Sequence, residues 1–339
     1  NRYRYEEPFA VAAYASFLGF DLLLRHGSVV HFEHGDRIFP WIMHHDPITR
    51  ASQTAAALLY ARGDVREAEK EISLMVSEKE VREKGLWNNH FASSPQTKLA
   101  LMVKYGLELS RPGRKASGVF GIPADGGGLG VDNTEGFSYA VEPSAGGTEL
   151  GALIRRLKQE KLLTKDNRSD GIYRFENATR ELYLDAARNF MTVNTPRFQG
   201  MAGEEKAKAV LRDVTLELRK NRGAVSVASL QKEKGIREAN RLLVIYATNA
   251  LCSKMTFEDP SMIHVLSYGE NPVLIETGTV FLTLRNSHAD KLKVYPLQIN
   301  GRRGRPLETV TCKNGILQLT IDTHQLPEGP ALFFELAEQ

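Results

Sequence analysis

Residues 5 to 65 constrain the fold more than any other part of the chain, because they set an apolar run too short for a helix between two helical patterns. The run Glu6-Glu7-Pro8-Phe9-Ala10-Val11-Ala12-Ala13-Tyr14-Ala15-Ser16-Phe17-Leu18 is rich in alanine and apolar residues. Acids suit the positive end of a helix dipole, and proline suits the first helical position, where no N–H is needed. Gly19 breaks the pattern, and Asp21-Leu22-Leu23-Leu24-Arg25-His26-Gly27 follows. A short apolar run bounded by glycines predicts a buried strand. After an irregular loop from Ser28 to His45, Asp46 as a cap and Pro47 at the first position open a second helix, which runs to about Ala61 and stops at Gly63. Helix, buried strand, helix is the grammar of a parallel α/β sheet or barrel. One strand and two helices cannot close a barrel, and the chain begins with Asn1 inside this pattern. The expectation is therefore a fragment, with the N-terminal part of a larger α/β domain missing.

Three regions are expected. Residues 1–65 are the barrel remnant, residues 66–165 a connecting region of helices and loops, and residues 166–339 a β-sandwich. In the connecting region, Ala68 to Ser77 alternates as a strand does, while Glu78 to Gly85 and Gln96 to Tyr105 carry helical signals. Ser110 to Gly147 reads mostly as loop. Its Gly126-Gly127-Gly128-Leu129-Gly130 has no strand leading in and no Lys-Ser/Thr after it, so it is no nucleotide-binding loop. Glu149 to Leu163 reads as an exposed helix carrying Leu150, Leu153, Ile154 and Leu157. From residue 166 onward, short apolar segments recur at roughly 8–12-residue spacing, from Ile172–Phe175 to Ala331–Leu336, which is the rhythm of an antiparallel sandwich. The fold class expected is thus an α+β fragment: one strand and two helices of a parallel α/β sheet or barrel, followed by that sandwich.

The 339 residues are 42% apolar, enough for proper cores, and a net charge of +3 gives no pointer to nucleic acid or an anionic membrane. The apolar runs are too short to cross a bilayer. Cys252 and Cys312 could pair across a sandwich, but unpaired buried thiols are the preferred reading. His44-His45-Asp46 has poor spacing for a metal, and Asp46 is better explained as a helix cap, so neither a metal nor a cofactor is expected.

Several segments resemble one group of proteins. They are Tyr3-Arg4-Tyr5-Glu6, Ala12-Ala13-Tyr14, Gly19-Phe20-Asp21, Asp46-Pro47, and Ala55 through Tyr60 to Arg62-Gly63-Asp64-Val65. Further on come Val193-Asn194-Thr195-Pro196-Arg197, Val225 to Leu230 and Val294-Tyr295-Pro296-Leu297. The order and spacing are similar to those of large bacterial carbohydrate-active enzymes with a (β/α)8 barrel of the clan A glycoside hydrolase type, in which a Glu-Trp-Asn precedes Tyr-Arg-x-Glu. The resemblance implies that residues 1–65 are the last strand and two helices of a (β/α)8 barrel, and it implies retaining hydrolysis of a poly- or oligosaccharide by two glutamates, a nucleophile and a proton donor about 5 Å apart. Asn1 would match the Asn of Glu-Trp-Asn, so both glutamates would lie upstream of it and no catalytic residue falls in this chain. The implied partners are a carbohydrate substrate and the missing barrel half, and the implied location is the periplasm or outside the cell.

Substrate contacts are sought where barrel strands end. Arg4 either sits near the catalytic carboxylates or forms an ion pair at the surface. Glu6 suits a helix start better than a catalytic strand end. Arg25 and His26 fall at the top of the expected strand, where the related enzymes carry aromatic residues. Trp41, with Phe32 and Phe39, offers rings for a sugar face or for the barrel wall. Two further readings stay open: a non-catalytic carbohydrate-binding or structural module, and an intact small enzyme using Glu6 or Glu7 with His26.

Overall fold

The computed structural model describes residues 3–24, 37–39, 43–78, 82, 95–110, 113, 115–119, 121–123, 143–308 and 310–338. They form a mixed α+β protein with few helices and mostly antiparallel sheets. The chain divides into two compact units, one of Tyr14–Asp21 and Arg66–Ala187, the other of Asn1–Ala13, Leu22–Val65 and Arg188–Gln339.

In the first of these units β1 (Glu71–Ser77) lies between β2 (Lys104–Ser110) and β3 (Gly121–Pro123), parallel to both. Ile72, Leu74 and Val76 share one face of β1 and pack with Leu99, Met102 and Leu157. The helix Pro143–Gln159 buries Leu150, Leu153, Ile154 and Leu157, a stripe at helical spacing. The helix expected there exists, but its apolar face is covered rather than exposed. The helical expectation for 96–105 also needs correction: a 3-10 helix spans Pro95–Leu101, and from Lys104 the chain is a strand paired along its whole length with β1. A short antiparallel hairpin, β4 (Arg174–Glu176) with β5 (Leu182–Asp185), completes the unit. Glu78–Gly85 and Gly126–Gly130 lie wholly or mostly outside the described residues.

In the other unit the strands are β6 (Phe190–Asn194), β7 (Phe198–Gly203), β8 (Lys208–Val210), β9 (Val214–Lys220), β10 (Gly223–Ser229) and β11 (Arg241–Ala247). Then come β12 (Ala250–Ser253), β13 (Thr256–Phe257), β14 (Val265–Ser267), β15 (Glu270–Ile275), β16 (Thr279–Arg285), β17 (Leu292–Leu297), β18 (Val310–Lys313), β19 (Ile316–Asp322) and β20 (Phe333–Glu338). One antiparallel sheet runs β18-β19-β16-β9-β8, and a second runs β17-β20-β11-β10-β7-β6. In the first, Val280, Leu282 and Leu284 of β16 and Leu317, Leu319 and Ile321 of β19 are buried while their neighbours are not, the alternation of a sheet with one wet face. In the second, every residue of β7 and β10 is buried, so this sheet is covered on both sides. The arrangement is consistent with a β-sandwich whose inner sheet carries a third, helical layer.

That layer is the N-terminal stretch. It holds a 3-10 turn at Arg4–Glu6 and a π-helical turn at Pro8–Ala12, and Asp46 caps the helix Pro47–Ala56 as expected, accepting from the Ile48 amide at 3.1 Å. Phe9 is buried with its ring 6.2 Å from that of Phe198 on β7, and Phe17 is buried too. Phe9 is thus covered by the sheet. Asp21 to Leu24 form no strand, which departs from expectation, whereas Leu22 and Leu24 are 71% and 77% exposed, as an apolar segment without barrel neighbours is expected to be. A strand needs a ladder of backbone partners, and none of the described strands pairs with them. Arg25, His26 and Gly27 lie outside the described residues. Both cysteines are free, Cys252 buried and Cys312 exposed rather than buried.

Gly200 lets the helical layer lie close on β7. A Cβ there would sit 2.6 Å from Ser226 Cβ and 2.9 Å from the Val225 carbonyl, with Phe9 Cζ at 3.1 Å. Gly200→Ala is expected to destabilise by about 1–3 kcal/mol through overpacking. Urea denaturation checks this, and an unchanged midpoint would mean that the layers separate freely.

Two of the segments singled out in the sequence meet at the other end of this layer. Asp64, its side chain fully buried, receives Arg62 Nε at 2.9 Å and a second, short bond from Arg62 Nη2, while Arg197 Nη2 lies 2.9 Å from its Oδ1. Arg197 also donates to the Gly63 carbonyl at 3.1 Å, and Arg62 Nη1 to the Ser229 carbonyl at 2.6 Å. The helix end thus holds the turn before β7 and the end of β10 at once.

Candidate functional site

A cavity of about 840 Å³ opens in the unit of Asn1–Ala13, Leu22–Val65 and Arg188–Gln339, and residues of that unit alone line it. Its floor is the Arg4–Glu6 turn and the Asp46–Ala56 segment. Its far wall comes from Asn249 to Tyr268. Arg4 joins the two. Its Nε and Nη2 reach Asp46 at 2.5 and 3.1 Å, its Nη1 reaches Asn249 Oδ1 at 2.8 Å, and Nη2 also reaches the Ala250 carbonyl at 2.7 Å. Asp46 in turn takes the Thr49 hydroxyl at 2.7 Å. Every donating nitrogen of the Arg4 guanidinium is thus engaged by the protein itself, a geometry that positions rather than binds.

Glu6 differs. It lines the cavity, and among the described residues its carboxylate makes no hydrogen bond or ion pair. Burial first, then the charge of Glu204 in the turn after β7, push its pKa up to about 7, and Arg222 just before β10 opposes them. Beneath it Tyr5 is buried, its hydroxyl has no hydrogen-bonding partner among the described residues, and its pKa is raised by burial and by the same two glutamates. The Tyr3 ring lies edge-on to Tyr5 at 6.2 Å, with the Arg222 guanidinium 5.3 Å from its centre.

A folded pKa above the ordinary glutamate value of about 4.3 means that the folded chain holds a proton the unfolded chain has lost. Unfolding free energy should therefore fall as pH rises through the window from about 4.5 to about 7. Glu6→Gln is expected to flatten that slope. Urea midpoints near pH 5 and pH 8 read it, and equal slopes for both proteins would rule Glu6 out as its source.

The remaining walls are apolar. Phe39 packs on Tyr268 with ring centres 4.6 Å apart, and Met43, Met255 and Met262 face the same space. No protein-family model, curated protein or solved structure matches this chain. Of the residues expected to contact substrate, Arg4 and Glu6 share this cavity, while Arg25, His26 and Trp41 lie outside the described residues. Asn249, Met255, Met262 and Tyr268 were not among those expected, because nothing local in the sequence ties them to a turn some 245 positions earlier. Among the described residues no group of three or more His, Cys, Asp or Glu could hold a metal ion, and no helix is long and apolar enough to cross a membrane.

Proposed function

We propose that this chain is the C-terminal part of a (β/α)8-barrel glycoside hydrolase with its β-sandwich, acting on poly- or oligosaccharides by retention, with both catalytic glutamates upstream of Asn1. One observation carries the reading. The segments that resemble that enzyme group pair with one another in space: Tyr3-Arg4-Tyr5-Glu6 with Asp46-Pro47, and Arg62-Gly63-Asp64-Val65 with Thr195-Pro196-Arg197 and Ser229. Motifs read one by one along a sequence are weak, but motifs that form each other's buried ion pairs belong to one design. On this reading Arg4 and Asp64 are positioning residues. They fix the last helices of the barrel to the sandwich, and the two upstream carboxylates supply nucleophile and proton donor across the glycosidic bond.

The test compares the full-length protein with this chain on aryl glycosides and then on a polysaccharide panel. Turnover by the full-length protein is expected, lost when the glutamate of an upstream Glu-Trp-Asn becomes glutamine, with no turnover by this chain. Turnover by this chain that disappears in Glu6→Gln would overturn the reading in favour of a small self-contained enzyme. A full-length protein with no barrel before Asn1, which binds polysaccharide without cleaving it, would support a non-catalytic carbohydrate-binding module instead.

A further inference from the structure

The cavity is unusual in what lines it. Three of the seven methionines of the chain, Met43, Met255 and Met262, face it, together with the Phe39–Tyr268 ring pair. Thioether and aromatic surfaces are polarizable and adapt to apolar ligands of irregular shape. Arg4 and Asp46 neutralise each other, and Glu6 is a further acid among the lining residues. Glu6 brings an oxygen pair with no hydrogen bond or ion pair among the described residues, and the charge of Arg222 is opposed there by that of Glu204.

We propose that this cavity binds a hydrophobic ammonium compound, with its apolar body among the methionine and aromatic side chains and its charged head at Glu6. A cation here gains a charge-assisted hydrogen bond at a partly buried carboxylate. An anion of the same shape meets the Glu6 carboxylate instead. A neutral molecule gains only the apolar contacts.

Protonation follows from the same arrangement. Near pH 6.5 Glu6 carries a proton for much of the time, and an arriving ammonium displaces it. Affinity should then rise from about pH 6 to about pH 8, with a proton released on binding in the lower part of that range. The groups that set this behaviour are Glu204 after β7 and Arg222 before β10, while Tyr3, Tyr5, Glu7 and the Arg4–Asp46 pair are the other titratable and charged groups of the turn and cavity. The inference does not rest on the glycosidase reading, since the probes report binding to this chain and no turnover enters.

The experiment is calorimetric titration of this chain with 4-phenylbutylammonium, 4-phenylbutan-1-ol and 4-phenylbutanoate at about pH 8. The ammonium is expected to bind about 10–100-fold more tightly than the alcohol, as a hydrogen bond to a charged group allows, and the carboxylate more weakly than either. Glu6→Gln should bring the ammonium to the affinity of the alcohol. Met255→Lys, which places a tethered ammonium in the cavity and leaves Glu6 in place, should abolish binding of the ammonium. Equal affinities for ammonium and alcohol, binding that survives Glu6→Gln unchanged, or no heat with any probe would each overturn the proposal.

Discussion

Asp64→Ala is expected to lower the unfolding free energy of the chain by about 3–5 kcal/mol, the cost of stranding a buried cation when its partner is removed. The Asp64 side chain has no exposure, and those of Arg62 and Arg197 keep only 16% and 24%. Removing the carboxylate leaves two guanidinium groups facing a void that water reaches poorly. The loss should be shared rather than additive. Asp64→Ala combined with Arg197→Met should cost clearly less than the sum of the two single changes, because the double variant strands one charge fewer. Urea denaturation of the four proteins gives the coupling energy. A loss under about 1 kcal/mol for Asp64→Ala would place the cluster with ordinary solvated ion pairs, and its role as a clasp between helix end and sheet would fall.

This cluster marks the boundary of what the sequence makes legible. Local signals were sufficient where chemistry is local. Asp46-Pro47 announced a capped helix and the helix begins there. The alternation over Thr279–Leu284 and the run Arg241–Ala247 announced strands that pair as antiparallel neighbours in their sheets. Leu150, Leu153, Ile154 and Leu157 announced a helix, though periodicity says which face is apolar and not whether something covers it. Strand β7 escaped notice for a physical reason: in Phe198-Gln199-Gly200-Met201-Ala202-Gly203 the small residues that resemble a turn are the ones that admit Ser226 and Phe9. Leu22 to Leu24 erred the other way. An apolar run supplies strand propensity, but a strand also needs neighbours. The electrostatics of Glu6 could not be read at all, because they depend on Glu204 and Arg222, about two hundred positions away.

Asp46→Ala carries the second large expected effect, and the conservative variant separates its two causes. As a helix cap, Asp46 accepts from the Ile48 amide and the Thr49 hydroxyl, and losing a cap costs about 1 kcal/mol. As the counter-ion of Arg4 it anchors a guanidinium only 16% exposed, and losing that anchor costs about 3–5 kcal/mol. Asparagine caps about as well as aspartate but carries no charge. If the ion pair dominates, Asp46→Asn should retain most of the alanine loss, whereas if the cap dominates, Asp46→Asn should sit near the parent protein. The first outcome is expected, because Arg4 also ties the turn to Asn249 and to the Ala250 carbonyl at the head of β12. Slackening Arg4 therefore loosens the floor of the cavity against its far wall, and Asp46→Asn should weaken 4-phenylbutylammonium binding although Asp46 is not the carboxylate assigned to its charged head. A variant that loses stability yet binds the probe as tightly as before would show that Arg4 secures the fold without shaping the cavity.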